Sequence, residues 1–253
     1  MHVRSYGEGP PLVALHGFTS TGEQFASLAA DVGRRIHAPD LPGHGRSLPD
    51  PTGFDDVTAS LVAYLQAFDR PPPLLGYSQG GRVAIGALAR TPSCASSLIV
   101  VSATAGIEGH SERAARKSAD EHLADHIVEI GTGRFLTEWT SEGLTSTVHL
   151  PEPTRDRDLA IRRKNTAKGL AAALRGFGQG VQPSLWGRLP MIDIPTLVVA
   201  GERDAKYVSI AHRLVGGLPN ATLHIIAEAG HNPFLDRPEP TAAAISGFLD
   251  RHG

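Results

Sequence analysis

The sequence predicts an α/β protein: a mostly parallel sheet of seven or eight strands, wrapped by helices, with a helical cap inserted after strand six. Three observations carry this expectation. Short apolar runs alternate with helix-spaced segments in two blocks. Between those blocks, residues 106–190 show helical patterning and no convincing buried strand. The third is Gly76-Tyr77-Ser78-Gln79-Gly80, which stands directly between a strand-like run and a helix-like one.

In the first block, Leu12-Val13-Ala14-Leu15 reads as a strand near 12–16, and further strands are expected near 35–39, 73–77 and 97–103. Helical spacing is found near 22–31, 54–68 and 79–90, so strands and helices take turns along the chain. The second block has strands near 196–201 and 222–227 and a closing helix near 239–251. Helical patterns at 111–130, 134–142 and 155–176 fill the interval. An insertion there is a natural cap over the strand C-termini, where open α/β sheets bind ligands. The expected division is a core of residues 1–105 and 191–253 and a cap of 106–190, within one domain. The N-terminal strand region is short, so one outer antiparallel strand of the usual eight is expected to be missing.

Composition narrows the function. A chain of 253 residues can bury a substantial core, and 41% hydrophobic with 20% charged residues is ordinary for a soluble protein. The formal charge of −2 argues against a general nucleic-acid partner. Cys94 is the sole cysteine, so no intrachain disulfide can form and a reducing cytoplasm is the simpler location. Met1-His2-Val3-Arg4-Ser5-Tyr6 lacks the apolar core of a signal peptide. No run approaches the ~18 apolar residues of a membrane span. The expectation is a cytoplasmic protein with no membrane partner, monomeric or weakly homo-oligomeric.

The chemistry starts at Ser78. A Gly-x-Ser-x-Gly turn between strand and helix bends the serine backbone sharply, and its glycines remove side chains that would clash. The hydroxyl is then held out at a helix N-terminus, whose amides can meet a negative oxygen. A serine hydroxyl is a poor nucleophile and base until an imidazole takes its proton, and that imidazole needs a carboxylate to hold its tautomer. Asp204 follows the strand Thr196–Gly201, and His231 follows the strand near 222–227, in the chain order serine, acid, histidine that this architecture requires. Ser78, Asp204 and His231 are therefore the predicted catalytic residues. The backbone amides of Phe18, in His16-Gly17-Phe18 after the first run, and of Gln79 are the predicted oxyanion donors.

Beyond the triad, Arg82 is the more diagnostic candidate. Arg82 lies one helical turn past Ser78 and can reach the pocket floor, where a buried guanidinium needs an anion. Residues 155–175 carry seven basic side chains against two acidic, and Arg113, Arg116 and Lys117 form a second cluster. Most of these read as a solvated helix face. His122 and His126 are spaced i, i+4 around Asp125, yet the acid is not where a zinc protease has it and no third ligand is evident. No metal is expected. Gly176-Phe177-Gly178-Gln179-Gly180 follows no strand and so is no nucleotide-binding fingerprint.

These motifs are those of the α/β-hydrolase fold. More particularly, the chain resembles the 2-succinyl-6-hydroxy-2,4-cyclohexadiene-1-carboxylate synthases of menaquinone biosynthesis over nearly its whole length. The matching stretches include Asp40-Leu41-Pro42-Gly43-His44-Gly45, Gly76 to Arg82, Arg113 to Ala119, Gln182-Pro183, Gly201 to Tyr207 and Ala229-Gly230-His231-Asn232. The resemblance implies a lyase that needs no cofactor. Its triad takes a proton from the succinyl arm of 2-succinyl-5-enolpyruvyl-6-hydroxy-3-cyclohexene-1-carboxylate, and pyruvate leaves. It also implies a small-molecule tricarboxylate partner bound by Arg82, Arg116 and Arg162, with Tyr77 and Trp139 lining the pocket. A carboxylesterase or carbon–carbon bond hydrolase on the same triad, and a ligand receptor that kept the fold, remain alternatives, because fold and triad do not decide reaction type.

Overall fold

Residues in the buried strands alternate cleanly between the two faces of the sheet. Val13 and Leu15 pack on one side and Leu12 and Ala14 on the other, and β-strand periodicity repeats this at Leu98, Val100 against Ile99, Val101. The computed structural model describes residues 1–47 and 53–253. Its strands are β1 (Val3–Tyr6), β2 (Pro11–Leu15), β3 (Arg35–Pro39), β4 (Leu74–Tyr77), β5 (Leu98–Val101), β6 (Thr196–Gly201) and β7 (Ala221–Ile226). They form one seven-stranded sheet in the order β1-β3-β2-β4-β5-β6-β7. Only β1 runs antiparallel, against β3; every other pairing is parallel. One outer antiparallel strand is thus present, and among the described residues the usual eighth is not.

The helices are α1 (Leu28–Val32), α2 (Phe54–Leu65), α3 (Gln79–Arg90), α4 (His110–Ser141), α5 (Glu152–Arg162), α6 (Ala167–Phe177), α7 (Ala205–Gly217), α8 (Pro233–Asp236) and α9 (Pro238–His252). One sheet face is covered by side chains of α2, α3 and α7, such as Leu61, Ile85 and Leu214. The other is covered by α1 and α9, through Leu28, Ile245 and Phe248. The helices α4 and α6 share a separate apolar cluster that includes Ile127, Phe135, Leu136, Leu170 and Leu174. They follow β5, the fifth strand of this chain and the sixth position of an eight-stranded sheet lacking one outer strand.

The helices expected at 111–130 and 134–142 are the two arms of α4, which breaks between them at Gly131 (φ 76, ψ 161). Three segments depart from the sequence pattern. Residues 22–31 form a 3₁₀ turn, Gly22–Phe25, followed by the short α1. Residues 155–176 form two helices, because Thr166 caps α6 by accepting from the Gly169 amide. Finally, α7 fills the connection between β6 and β7, where no helix was read; it buries Tyr207, Ala211 and Leu214 at helical spacing. No helix is long and apolar enough to cross a membrane, among the described residues.

Candidate active site

Ser78 joins β4 to α3 with φ 50 and ψ −109, a left-handed conformation that costs energy for any residue but glycine. The surroundings leave it no alternative. A Cβ at Gly76 would lie 2.6 Å from the Gly81 Cα, and one at Gly80 would lie 2.3 Å from the Leu15 carbonyl oxygen. The Ser78 amide donates to Val101 O at 2.9 Å, and its carbonyl accepts from the Arg82 amide at 3.1 Å. The strained turn is therefore wedged between two strands and the first turn of α3.

The serine Oγ lies 3.1 Å from His231 Nε2, and His231 Nδ1 lies 2.7 Å from Asp204 Oδ2. Asp204 caps α7: its other oxygen, Oδ1, accepts from the Tyr207 amide at 3.1 Å. With the carboxylate on Nδ1, the imidazole proton belongs there, which leaves Nε2 free to accept from the serine hydroxyl. His231 and Asp204 are both buried. Their two loops touch closely, since a Cβ at Gly201 would lie 2.0 Å from the Gly230 carbonyl oxygen. The Gly230 amide in turn donates to Asp236 Oδ2 at 2.6 Å, which steadies the turn bearing His231. Phe18 and Gln79 flank the serine, and among the described residues neither amide donates to a backbone carbonyl.

Two adjoining cavities, of about 270 and 490 Å³, meet at Ser78 and His231, with Phe18 and Trp139 in the walls of both. The larger is lined by Arg82 and Arg116, the smaller by Tyr77 and Arg162. The three guanidinium groups differ sharply. Arg82 is 7% exposed, and its Nη1 donates to Phe177 O at 3.1 Å and Gln182 Oε1 at 3.0 Å. No carboxylate pairs with it among the described residues. Burial, with a smaller contribution from Arg116, lowers its pKa to about 10. Arg162 is equally buried, but its Nε pairs with Asp158 at 2.6 Å and its Nη1 meets the Thr19 hydroxyl. Arg116 pairs with Asp120 at 2.7 Å, touches Gln179 and is 40% exposed. Tyr77 is buried, and desolvation raises its pKa, so the phenol stays neutral.

The remaining candidates lie elsewhere. Arg113 donates to Ile107 O near the surface, and Lys117 sits 3.9 Å from Glu121 with both side chains exposed. His126 Nε2 meets Glu138 Oε2 at 2.8 Å across the break in α4, and no cluster able to hold a metal ion is found among the described residues. Sequence reasoning missed the roles of Thr19, Asp158 and Gln182, the partners that orient two of the arginines. Asp158 had a readable signal, its i, i+4 spacing to Arg162 on one helix, and Gln182 stood in a stretch that carries the resemblance without a role attached.

A hydroxyl, an imidazole and a carboxylate meeting in this chain order at the edge of a parallel sheet define the α/β-hydrolase class. The profile of the Alpha/beta hydrolase family matches residues 12–244. A Bacillus subtilis protein provisionally named 2-succinyl-6-hydroxy-2,4-cyclohexadiene-1-carboxylate synthase is 34% identical over 96% of this chain and 92% of its own. The synthase of that name from Escherichia coli O1:K1 is 30% identical over 95% and 94%. The solved structure of MenH from S. aureus matches with a TM-score of 0.93 and 31% identity, covering 99% of this chain and 98% of that one. A malate-bound esterase from Thermogutta terrifontis, 24% identical with a TM-score of 0.80, covering 100% of this chain and 94% of its own, shares the fold. The chain belongs to the 2-succinyl-6-hydroxy-2,4-cyclohexadiene-1-carboxylate synthase family of α/β hydrolases.

Proposed function

We propose that the chain is a carbon–oxygen lyase that eliminates pyruvate from 2-succinyl-5-enolpyruvyl-6-hydroxy-3-cyclohexene-1-carboxylate, giving 2-succinyl-6-hydroxy-2,4-cyclohexadiene-1-carboxylate. The observation that supports it best is Arg82, a buried guanidinium beside Ser78 that faces a cavity and has no carboxylate of its own among the described residues. A charge buried without a counter-ion is costly, and a substrate carboxylate relieves that cost on binding. The names of reactant and product locate the chemistry. A 3-ene becomes a 2,4-diene as the 5-substituent departs, so the hydrogen lost is not, as the resemblance implies, on the succinyl arm itself but on the ring carbon that bears it, next to the succinyl carbonyl.

Ser78, activated by His231, takes that proton. A C=C bond forms at the ring carbon, the existing double bond shifts by one position, and the bond to the enolpyruvyl oxygen breaks. The departing enolate collects a proton and becomes pyruvate. In the transition state negative charge gathers on the succinyl carbonyl, where the Phe18 and Gln79 amides receive it. Asp204 holds the imidazole and stabilises its positive charge. Arg82, Arg116 and Arg162 bind the three carboxylates, Tyr77 and Trp139 shape the cavity, and the segment 106–190 serves as the cap. The reaction is a proton transfer with departure of a leaving group, so it needs neither hydrolytic water nor a redox cofactor. In this reading the protein is cytoplasmic, with the pathway's soluble intermediate as its partner.

Incubation with the enolpyruvyl substrate tests the reading: pyruvate should appear far faster than by spontaneous loss. Release at the spontaneous rate, together with brisk hydrolysis of p-nitrophenyl esters, would establish an esterase instead.

A further inference from the structure

The turn after β2 contains a conformational oddity. Thr19 has φ 67, a left-handed backbone that a β-branched residue adopts only when its surroundings impose it. Those surroundings are specific. The Gly17 carbonyl accepts from the Ser20 amide at 3.2 Å and lies 2.8 Å from His16 Nδ1. The Thr19 hydroxyl meets Arg162. The largest share falls to Asn165, in the corner between α5 and α6, which is 5% exposed.

Every polar atom of that side chain is used. Its Nδ2 lies 2.6 Å from Thr19 O and 2.9 Å from Arg162 O, with Ser20 O at 3.4 Å. Its Oδ1 accepts from the Gly45 amide at 2.8 Å. The partners fix the amide's orientation, because only the oxygen can meet an N–H and only the NH₂ can meet carbonyls. One buried amide thus ties together the turn after β2, the turn after β3 and the corner of the helical segment. The backbones beside it are in contact as well: a Cβ at Gly43 would lie 2.3 Å from the Gly169 carbonyl oxygen.

We propose that Asn165 is a positioning residue for the reaction. By holding the Thr19 and Ser20 carbonyls it keeps Thr19 in its left-handed state, and so aims the Phe18 amide at the oxyanion site beside Ser78. The inference rests on the roles proposed above for Ser78 and Phe18. Without the Asn165 donor, Thr19 relaxes towards negative φ and swings the peptide planes on either side. A preorganised donor loses much of its value when it is displaced by a fraction of an ångström.

The test uses Asn165→Ala with two readouts. The first is inactivation by a fluorophosphonate, in which Ser78 Oγ bonds to phosphorus, fluoride leaves and the phosphoryl oxygen occupies the oxyanion site. The inactivation rate should fall about ten- to a hundredfold. The second is pyruvate release, where kcat should fall by a similar factor while KM stays within about twofold. Lys164→Ala, which removes the exposed contact of the same corner with Glu23, should change neither rate. Circular dichroism should match wild type throughout. If Asn165→Ala does not fold, Asn165→Ser, which keeps a polar atom in the space, carries the same comparison.

A folded variant inactivated at the wild-type rate overturns the proposal, as does a rise in KM at constant kcat. Wild-type protein inert to the probe overturns the serine assignment and this inference with it. Wild-type protein that reacts with the probe but makes no pyruvate overturns the lyase reading alone, and the inactivation rate then decides the role of Asn165.

Discussion

Ser78, Asp204 and His231 each sit in the turn following a strand of the sheet, held by main-chain hydrogen bonds and by glycines that admit no side chain. Arg116 and Arg162 hang instead from helices and are aimed by side chains, Asp120 and Asp158. Arg82 stands between the two designs: it grows from α3, one turn past the serine, yet no carboxylate aims it. The contrast teaches where each property of the site is stored. The proposed reacting groups are placed first by backbone turns, which a few side chains such as Asn165 and Asp236 tie down. The arginine-lined wall is set by pairwise side-chain contacts, so the anion affinity proposed for it can be altered without disturbing the triad.

The largest expected effect tests the backbone half. Ser78→Ala should lower pyruvate release by about a thousandfold or more and leave the fold intact by circular dichroism. Near wild-type turnover would remove the serine from the mechanism. Next, Arg82→Ala should cut kcat/KM for the tricarboxylate by about a hundredfold, and Arg82→Lys should recover little of it, since a point charge does not replace a bidentate fork. Steady-state kinetics on the two variants decide this, and full recovery by lysine would mean that charge alone suffices.

A third prediction separates the arginines by stability. Arg162→Met strands the buried Asp158 charge and should cost about 3–5 kcal/mol in urea unfolding. Arg82→Met strands no charge, only the neutral acceptors Phe177 O and Gln182 Oε1, and should cost less, about 1–2 kcal/mol. Equal losses would erase the distinction. The last prediction concerns pH. Burial is the main cause that lowers the pKa of His16 to about 4 and of His44 to about 3. Both lie below the value of an unfolded imidazole, so acid protonates the unfolded chain first. Stability should therefore decline as pH drops through about 6.5, by on the order of 2 kcal/mol per histidine at about pH 5. Denaturant titrations at the two pH values check it, and a flat profile would mean that both rings protonate in the folded state.

What could be read from the sequence follows the same divide. The buried parallel strands announce themselves because both faces are covered, which makes them continuous apolar runs such as Leu98–Val101. The residues proposed for catalysis are legible because each follows such a run, with glycines beside Ser78 and His231 and just ahead of Asp204. Strand β1 is half-exposed at the sheet edge, so Val3-Arg4-Ser5-Tyr6 carries no apolar signature. Helix α7 is capped by Asp204 itself, and the polar turn Glu202-Arg203-Asp204 ahead of it masks the helical spacing beyond. The orientation of the arginines was not legible, because it depends on partners as distant as Gln182 for Arg82 and Thr19 for Arg162.

The break at Gly131 has a consequence for the chamber's dimensions. One arm of α4 carries Arg116 and the other carries Trp139, so the torsions of this single residue govern how far apart those two walls stand. A Cβ there would meet nothing within 4 Å, yet φ 76 with ψ 161 is a conformation essentially reserved for glycine. Any other residue would thus be refused by torsion and not by crowding, and the arms would re-splay to a new angle. Breadth of the cavity, and with it the size of acid that the proposed reaction could admit, is geared to one pivot remote from Ser78.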